Sequence, residues 1–184
     1  TEFQSYLAQI ASDRPDAVYT FFAGGGGVSF VRDYDAAGLK DSIPLLGSGF
    51  LTDGNLAAIG EAGEGVMTTL HYAETLDTPQ NRAFVEAYQE AYGQMPDTYA
   101  VQGYDTGMML VQAMEAVGGD TSDRERLIQA LANVQLDSPR GPMSFSASHH
   151  PIQNVYLREI RNGKHEVVGI AHENLEVPDE ACRM

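Results

Sequence analysis

Short apolar runs rich in β-forming residues alternate with helical patterns over the first 72 residues. The runs are residues 17–22 (AVYTFF), 43–46 (IPLL) and 66–72 (VMTTLHY). Strands that are apolar on both faces are typical of parallel sheets with helices on each side. Helical patterns lie between the runs, over residues 28–37 and again after Thr52 or Asp53. This order predicts an α/β fold in which helices flank a parallel sheet.

The middle of the chain is predicted to be helical. Thr78 precedes a proline, which is typical of a helix start, and Asp97 is a good N-cap for a second helix. Ser122 followed by Glu125 matches the capping box of a third helix. No strand pattern separates these helices. Their apolar faces therefore pack either on the first sheet or on a sheet that this chain does not contain.

The last part of the chain returns to strand patterns. Residues 155–160 and 166–170 flank the pair Asn162-Gly163. An Asn-Gly pair between two such runs is typical of a tight two-residue turn. We therefore expect a strand hairpin near the C-terminus.

Composition limits the classes of function. Acidic residues exceed basic ones, 26 to 11, for a net charge of −15, which argues against nucleic-acid binding because phosphates would be repelled. No apolar run approaches the roughly 18 residues of a membrane span. Cys182 is the only cysteine, so its partner is missing or its thiol is free. The start, Thr1-Glu2-Phe3, has neither Met nor a signal pattern, so we expect a processed protein or a fragment.

Four glycines, residues 24–27, stand between the first predicted strand and its helix. Main-chain N–H groups at such a helix start can hold an anion. The dinucleotide fingerprint G-x-G-x-x-G is incomplete, because Ser29 stands where the third glycine belongs, and no G-K-[ST] phosphate loop occurs. The run is therefore a turn without a ligand or a small-ligand contact. Nucleotide binding is the least favoured interpretation.

Candidate polar and aromatic contacts follow the second predicted strand. Gly47-Ser48-Gly49-Phe50 should face the same crevice as the glycine run, at the carboxyl end of the sheet. The nucleophile pattern G-x-S-x-G is not met. Ser48 is therefore interpreted as a hydrogen-bond donor and Phe50 as an apolar wall. Tyr99 and Gln102 share a helical face, either as ligand contacts or as packing residues.

The remaining polar residues do not form a recognisable chemical site. His149 and His150 are adjacent, the other histidines are single, and no metal-binding motif occurs. We therefore expect no metal site and interpret the histidines as surface or capping residues. Asp105, inside a helical stretch, is either buried and hydrogen-bonded or solvated, and we favour a structural hydrogen bond.

The chain resembles the second half of type I periplasmic binding proteins. The resemblance is carried by ordered segments: FQSYLAQI, PDAVYTFFAGGGGVSFVRDYDAAGL, IPLLGSGF, TPQNRAFVEAYQEAYGQMPDTYAVQGYDTGMMLVQAM and VYLREIRNG. These proteins are the solute receptors of ABC transporters of the branched-chain-amino-acid type, and the chain is most similar to members thought to carry aromatic acids. The resemblance covers nearly the whole chain. It implies the type I periplasmic-binding fold, with no cofactor and no enzyme activity.

The resemblance also implies a domain organisation. Family members have two lobes joined by three crossovers, hold the ligand in the cleft between the lobes, and are about twice as long as this chain. The N-terminal half would then be missing. Residues 1–72 would belong to the C-terminal lobe, residues 76–148 would be helices returning to the first lobe, whose sheet is absent, and residues 149–184 would be the final strands and tail of the C-terminal lobe. Exposed apolar helix faces should drive self-association of such a fragment.

The resemblance narrows the expected ligand. Amino-acid-binding members hold the ligand's ammonium group with an acidic residue just after the strand that IPLLG resembles. Residues 47–50 contain no acid here, which argues against an α-amino acid and favours a small, aromatic carboxylate. The expected ligand contacts are Phe22, Ala23, Gly24, Gly25, Ser48, Gly49, Phe50, Tyr99 and Gln102.

These expectations describe a periplasmic, solute-binding component of an ABC importer. Its partners would be the small-molecule ligand and the membrane permease. One alternative is a ligand-sensing domain of a receptor or regulator, because the same fold is used there. A nucleotide-dependent α/β enzyme is a less favoured alternative.

Overall fold

The chain folds into two units and passes between them three times. The computed structural model describes residues 2–178, and Cys182, on which one expectation rests, lies outside the described residues. Unit 1 comprises residues 2–75 together with Tyr156–Gly169, and unit 2 comprises Leu76–Val155 together with residues 170–178. The boundaries of the proposed family lobes remain predictions.

Unit 1 is built on the predicted parallel strands. Its elements are α1 (Gln4–Asp13), β1 (Val18–Thr20), α2 (Gly24–Ala36), β2 (Leu45–Ser48), α3 (Leu56–Ile59) and β3 (Met67–Leu70), with 3₁₀ turns at Leu39–Asp41, Gly49–Leu51 and Gly60–Gly63. Strand β1 pairs with β2 and β2 with β3, both in parallel. A later strand, β6 (Pro151–Arg161), pairs antiparallel with β3 through Tyr156 to Glu159. The prediction of an α/β fold with helices flanking a parallel sheet is confirmed, and β6 adds an antiparallel strand that was not predicted for this sheet.

The core of unit 1 is formed between the sheet and its helices. Leu7 of α1, Tyr34 of α2 and Leu45 of β2 are among its buried members. Tyr34 is fully buried, and its hydroxyl donates a hydrogen bond to the Ile43 carbonyl at 3.0 Å. A buried tyrosine needs such a partner for its hydroxyl. This bond fixes helix α2 beside the segment that leads into β2.

Helix α2 begins earlier than the sequence predicts. The helical pattern starts at Val28, but the helix runs from Gly24, so the glycine run forms its first turn. Gly24 has a φ of +56°, which a residue with a side chain rarely adopts. A Cβ on Gly27 would lie 3.0 Å from the Leu51 carbonyl oxygen. The glycines thus allow a sharp entry into the helix and a close approach to the turn after β2.

Unit 2 starts with the helices expected from capping residues. They are α4 (Pro79–Tyr92), α5 (Thr98–Ala116) and α6 (Arg124–Ala132). Thr78 and Asp97 cap α4 and α5 as predicted, since their side chains accept hydrogen bonds from the amides of Asn81 and Ala100. The capping box at Ser122 is wrong. Asp123 caps α6 instead, because its carboxylate already accepts the amide hydrogen of Arg126.

The sequence analysis missed a hairpin after α6. Strands β4 (Leu136–Ser138) and β5 (Gly141–Phe145) pair antiparallel, and Leu136 and Met143 pack with Ala113 of α5. Part of the helical surface is therefore covered by strands of this chain. Other apolar side chains of α5 are exposed: Tyr99, Tyr104, Met108, Leu110, Val111 and Met114. Self-association through such side chains stays a prediction.

The expected hairpin near the C-terminus is confirmed. Strands β6 and β7 (Lys164–Leu175) pair around Asn162-Gly163. Both turn residues have positive φ, 53° and 68°, as a type I′ turn requires. The Glu64 carboxylate accepts hydrogen bonds from both turn amides. Among residues 2–178, no helix is long and apolar enough to cross a membrane.

A buried ion pair lies inside unit 1, between β6 and the segment that follows β2. Arg158 is fully buried, and its Nη2 donates to the Asp53 carboxylate at 2.6 Å. The same guanidinium donates to the Tyr72 carbonyl at 2.7 Å and to the Thr68 hydroxyl at 3.0 Å. A charge removed from water is tolerated only when it is paired and hydrogen-bonded in this way. The pair therefore links β3 and β6 to the residues after β2.

Replacing Arg158 tests how much unit 1 depends on this pair. Arg158→Met leaves the Asp53 carboxylate buried without a counter-charge, so we expect the free energy of unfolding to fall by about 3–5 kcal/mol. Arg161→Met, on the same strand, removes an exposed partner of Glu159 and should have a far smaller effect. Urea denaturation of both variants measures the difference. Equal losses would contradict a special role for Arg158.

Candidate ligand-binding site

Two of the predicted contact segments leave the sheet side by side. Strands β1 and β2 are adjacent and parallel, and Thr20 lies opposite Gly47. The residues that follow, Phe21 to Gly25 and Ser48 to Phe50, therefore emerge at the same carboxyl edge of the sheet. Ligands in open parallel α/β sheets bind at this edge. The structure thus brings together the predicted contacts of unit 1.

The start of α2 offers unpaired main-chain donors at this edge. Ala23 is the N-cap residue and makes no side-chain capping hydrogen bond. The first amides of a helix have no acceptor within the helix, and here Ala23, Gly24 and Gly25 are exposed. A carboxylate near these amides would gain both hydrogen bonds and the favourable end of the helix dipole.

Ser48 adds a second donor. Its hydroxyl oxygen is buried and has no hydrogen-bond partner in the described part of the chain. A buried hydroxyl without a partner costs about 1–3 kcal/mol. This cost is removed if a ligand oxygen accepts the hydroxyl hydrogen. Ser48 therefore has the chemistry of a ligand contact.

The aromatic side chain exposed at the edge is Phe21, whereas Phe22 turns inward. The ring of Phe22 packs in the core against Phe3 and Phe30, with centroids 5.2 and 5.0 Å apart. Phe21 is 66% exposed, and its ring meets that of Phe50 edge to face at 6.4 Å. Phe22 as a ligand contact stays a prediction. Phe21 was missed because residues 17–22 are nearly all apolar, although the two-residue strand period separates Phe21 from Phe22.

Gly49 has a packing role that the sequence did not reveal. It is buried, and a Cβ there would lie 2.7 Å from the Leu70 side chain and 2.8 Å from Nη2 of Arg158. Any side chain would therefore displace the buried ion pair or the core. Gly49 as a direct ligand contact stays a prediction.

Tyr99 and Gln102 belong to unit 2, in the first turns of α5. Tyr99 is 53% exposed and Gln102 is half-buried. Nearby, Asp105 is buried, and its carboxylate accepts from Nε of Arg140 at 2.6 Å and from the Ser138 hydroxyl at 3.0 Å. The structural role expected of Asp105 is confirmed. The ligand role of Tyr99 and Gln102 stays a prediction.

His165 is not a surface residue, so that expectation is wrong for this histidine. It is 5% exposed on β7, and its Nε2 lies 2.9 Å from the Thr52 hydroxyl. Its Nδ1 lies 3.0 Å from the Glu74 carboxylate, which also accepts the His165 amide hydrogen at 2.9 Å. No local sequence pattern indicates this cluster, because its members are far apart along the chain.

The Glu74 carboxyl is tuned by this environment. Burial alone would raise the pKa of Glu74, but hydrogen bonds from His165 and its electrostatic attraction together lower the pKa below that of an ordinary glutamate. Among residues 2–178, no group of three His, Cys, Asp or Glu side chains is arranged to hold a metal ion. Hydrogen bonds among Thr52, His165 and Glu74 hold the cluster together.

Comparison with known proteins gives the same class as the fold. Residues 1–164 match the periplasmic binding protein family. The chain therefore belongs to that family, and its fold is that of the solute-binding proteins of ABC transporters. The resemblance noted from the sequence is confirmed.

Particular relatives carry more detail. Leu/Ile/Val-binding protein homolog 6 of Brucella melitensis is 36% identical over 165 residues, which are 86% of this chain and 42% of that protein. A solute-binding protein of an ABC transporter from R. palustris, solved in complex with benzoate, is 49% identical with a TM-score of 0.91, covering 100% of this chain and 50% of that one. A second from R. palustris, in complex with 4-hydroxybenzoate, is 30% identical with a TM-score of 0.84, covering 99% of this chain and 51% of that one. The chain thus spans about half the length of these proteins.

Because of the Glu74–His165 pair, we expect the protein to lose stability at acid pH. A carboxyl whose pKa is lowered in the folded state stabilises the protein above its unfolded pKa, near 4.5, and this contribution is lost as pH falls through the folded pKa. We expect the free energy of unfolding of the wild type to fall more steeply below pH 4.5 than that of Glu74→Gln. Urea denaturation between pH 3 and 7 measures the two slopes. Glu61→Gln, at an exposed glutamate, controls for the change of net charge, and parallel slopes for Glu74→Gln and wild type would contradict the prediction.

Proposed function

We propose that this chain is the ligand-capturing part of a solute-binding component of an ABC importer, and that its ligand is a small aromatic carboxylate. One observation carries the proposal: the uncapped start of α2 and the unpaired Ser48 hydroxyl lie at the same sheet edge as the Phe21–Phe50 ring pair. The amides and the hydroxyl would hold the carboxylate, and the two rings would contact the aromatic part.

The charges near this edge favour a carboxylate over an amino acid. An α-ammonium group needs a free carboxylate, and the nearest acid along the chain, Asp53, is buried and bound to Arg158. Freeing Asp53 would leave the guanidinium unpaired in the core, which is strongly unfavourable. Benzoate and 4-hydroxybenzoate, the ligands of the similar solved proteins, have a carboxylate and no ammonium group.

The rest of the proposal concerns the protein beyond this chain. Because the similar proteins are about twice as long, we propose that part of the ligand's surroundings comes from a segment equivalent to their other half, across an interlobe cleft. Capture would proceed by hinge closure without chemistry. A periplasmic location and a membrane permease as partner are proposed on the same family grounds.

Calorimetric titration tests the ligand class directly. Benzoate and leucine are titrated into this 184-residue chain and into the protein as its gene encodes it. We expect benzoate to bind the encoded protein and leucine not to bind, because the edge supplies donors for an anion but no free acid. Leucine binding without benzoate binding would overturn the proposed ligand class, and binding of neither would overturn the aromatic carboxylate.

Two substitutions test the residues of the edge. Ser48→Ala removes an unpaired buried hydroxyl, so it should leave stability unchanged or raised while weakening benzoate binding by about tenfold or more. Phe21→Ala should weaken binding by about threefold to tenfold through loss of the ring contact. The matched controls are Ser29→Ala, at an exposed serine of α2, and Tyr19→Ala, at an exposed ring of β1. Affinities equal to those of the controls would exclude Ser48 and Phe21 as contacts.

A further inference from the structure

The ligand-contacting turn owes its position to the residues just after it. The Gly49 carbonyl accepts hydrogen bonds from the amides of Thr52 at 3.0 Å and Asp53 at 2.9 Å. These two bonds close the 3₁₀ turn Gly49–Leu51, which directly follows Ser48. Any movement of Thr52 or Asp53 would therefore be transmitted to the Ser48 hydroxyl and the Phe50 ring.

The side chains of Thr52 and Asp53 are held in turn by two buried residues of the C-terminal hairpin. Arg158 on β6 binds the Asp53 carboxylate at 2.6 Å, and His165 on β7 meets the Thr52 hydroxyl at 2.9 Å. Thr52 and Arg158 are fully buried, and Asp53 and His165 are nearly so. Hydrogen bonds that are buried away from water are strong and resist rearrangement.

Arg158 and His165 are themselves anchored to the segment that follows β3. Arg158 donates to the Tyr72 carbonyl, and His165 is held through its ring and its amide by the Glu74 carboxylate. The chain leaves unit 1 after Thr75. One hydrogen-bonded network therefore connects the turn after β2 with the residues that precede the first passage out of unit 1.

We propose that Arg158 and His165 are positioning residues of the ligand site, which fix the turn of residues 48–51 through Asp53 and Thr52. That this turn contacts a ligand rests on the proposed function, whereas the role of Arg158 and His165 in fixing the turn does not. His165 acts on the turn through Thr52, whereas Arg158 acts through Asp53 and through its close packing against Gly49. The groups facing His165 in this network are the carboxylates of Asp53 and Glu74 and the hydroxyl of Thr52.

A matched pair of threonine substitutions tests the proposal. Thr52→Val removes the hydroxyl that meets the His165 ring and keeps the side-chain shape. Thr75→Val removes a hydroxyl that donates to the His165 main-chain carbonyl at 2.6 Å, a bond that does not orient the ring or touch the turn. Both variants lose a hydrogen bond to His165 and should lose similar stability, although Thr52→Val also loses a long 3.5 Å contact between its hydroxyl and the Gly49 carbonyl. A third variant, His165→Gln, leaves that Gly49 contact in place and should speed up exchange of the turn as Thr52→Val does if the His165 ring positions it. They differ in whether the lost bond holds the turn.

Hydrogen exchange followed by mass spectrometry reads the turn without any ligand. We expect the amides of residues 48–53 to exchange about tenfold faster in Thr52→Val and little faster in Thr75→Val. The reason is that the net free energy of one hydrogen bond corresponds to at most about a tenfold change in an opening equilibrium. Exchange that is unchanged in both variants would overturn the proposal. Equal acceleration in both would also overturn it, because it would show general loosening of unit 1.

Benzoate titration of the same variants separates this inference from the proposed function. The substitutions are made in the protein as its gene encodes it. If its wild type binds benzoate, Thr52→Val should bind benzoate about tenfold more weakly than Thr75→Val at comparable stability. Equal affinities would count against positioning. If the wild type binds no aromatic acid, the proposed ligand fails, and the exchange measurement alone still decides whether His165 positions the turn through Thr52. The same exchange measurement on Arg158→Met against Arg161→Met decides it for Arg158.

Discussion

The ion pair between Arg158 and Asp53 is the constraint on which much of unit 1 depends. A guanidinium fully removed from water must satisfy its charge and its donors locally. The two terminal nitrogens of Arg158 donate to a carboxylate, a main-chain carbonyl and a threonine hydroxyl, which come from the segment after β2, the segment after β3 and β3 itself. Each of these segments is therefore held at a fixed distance from β6. Gly49 completes the arrangement, because only a residue without a side chain fits against Nη2 and Leu70.

This constraint explains why the edge of the sheet can carry unpaired donors. The buried Ser48 hydroxyl is energetically unfavourable while it lacks an acceptor, whereas the exposed amides at the start of α2 can bond to water. These donors persist because the surrounding structure is fixed by the aromatic core around Phe3 and Phe30 on one side and by the buried ion pair on the other. A site prepared in this way loses little conformational entropy when a ligand arrives.

The sequence predicted those features that depend on local patterns. Strands β1 to β3 and the Asn162-Gly163 hairpin follow from apolar runs and turn residues, and both are present. The hairpin of β4 and β5 was missed because its proline and glycine residues interrupt any strand pattern.

Sequence analysis did not predict the exposed ring of Phe21 or the buried charge of Arg158. Strand period alone separates Phe21 from Phe22, and it also places Arg158 on the buried face with Tyr156 and Ile160. The apolar run of residues 17–22 conceals which of the two phenylalanines is exposed. Arginine is usually exposed, so the sequence argues against burial of Arg158. The partners Asp53, Thr52 and Glu74 are distant in sequence from β6 and β7, so no local pattern could have joined them.

The same buried network also bears on which ligands the edge can accept. Asp53, three positions after Phe50, is the acidic residue nearest along the chain to the predicted ligand contacts. Its carboxylate is paired with Arg158 and lies 3.6 Å from Nε2 of His165. What the segments after β1 and β2 present is therefore a helix N-terminus and a neutral hydroxyl, both of which favour negative charge. Two phenylalanine rings beside these donors add an apolar surface of aromatic shape. The proposed ligand, an aromatic carboxylate, would suit both features, whereas a zwitterion would bring an ammonium group for which these segments hold no counter-charge.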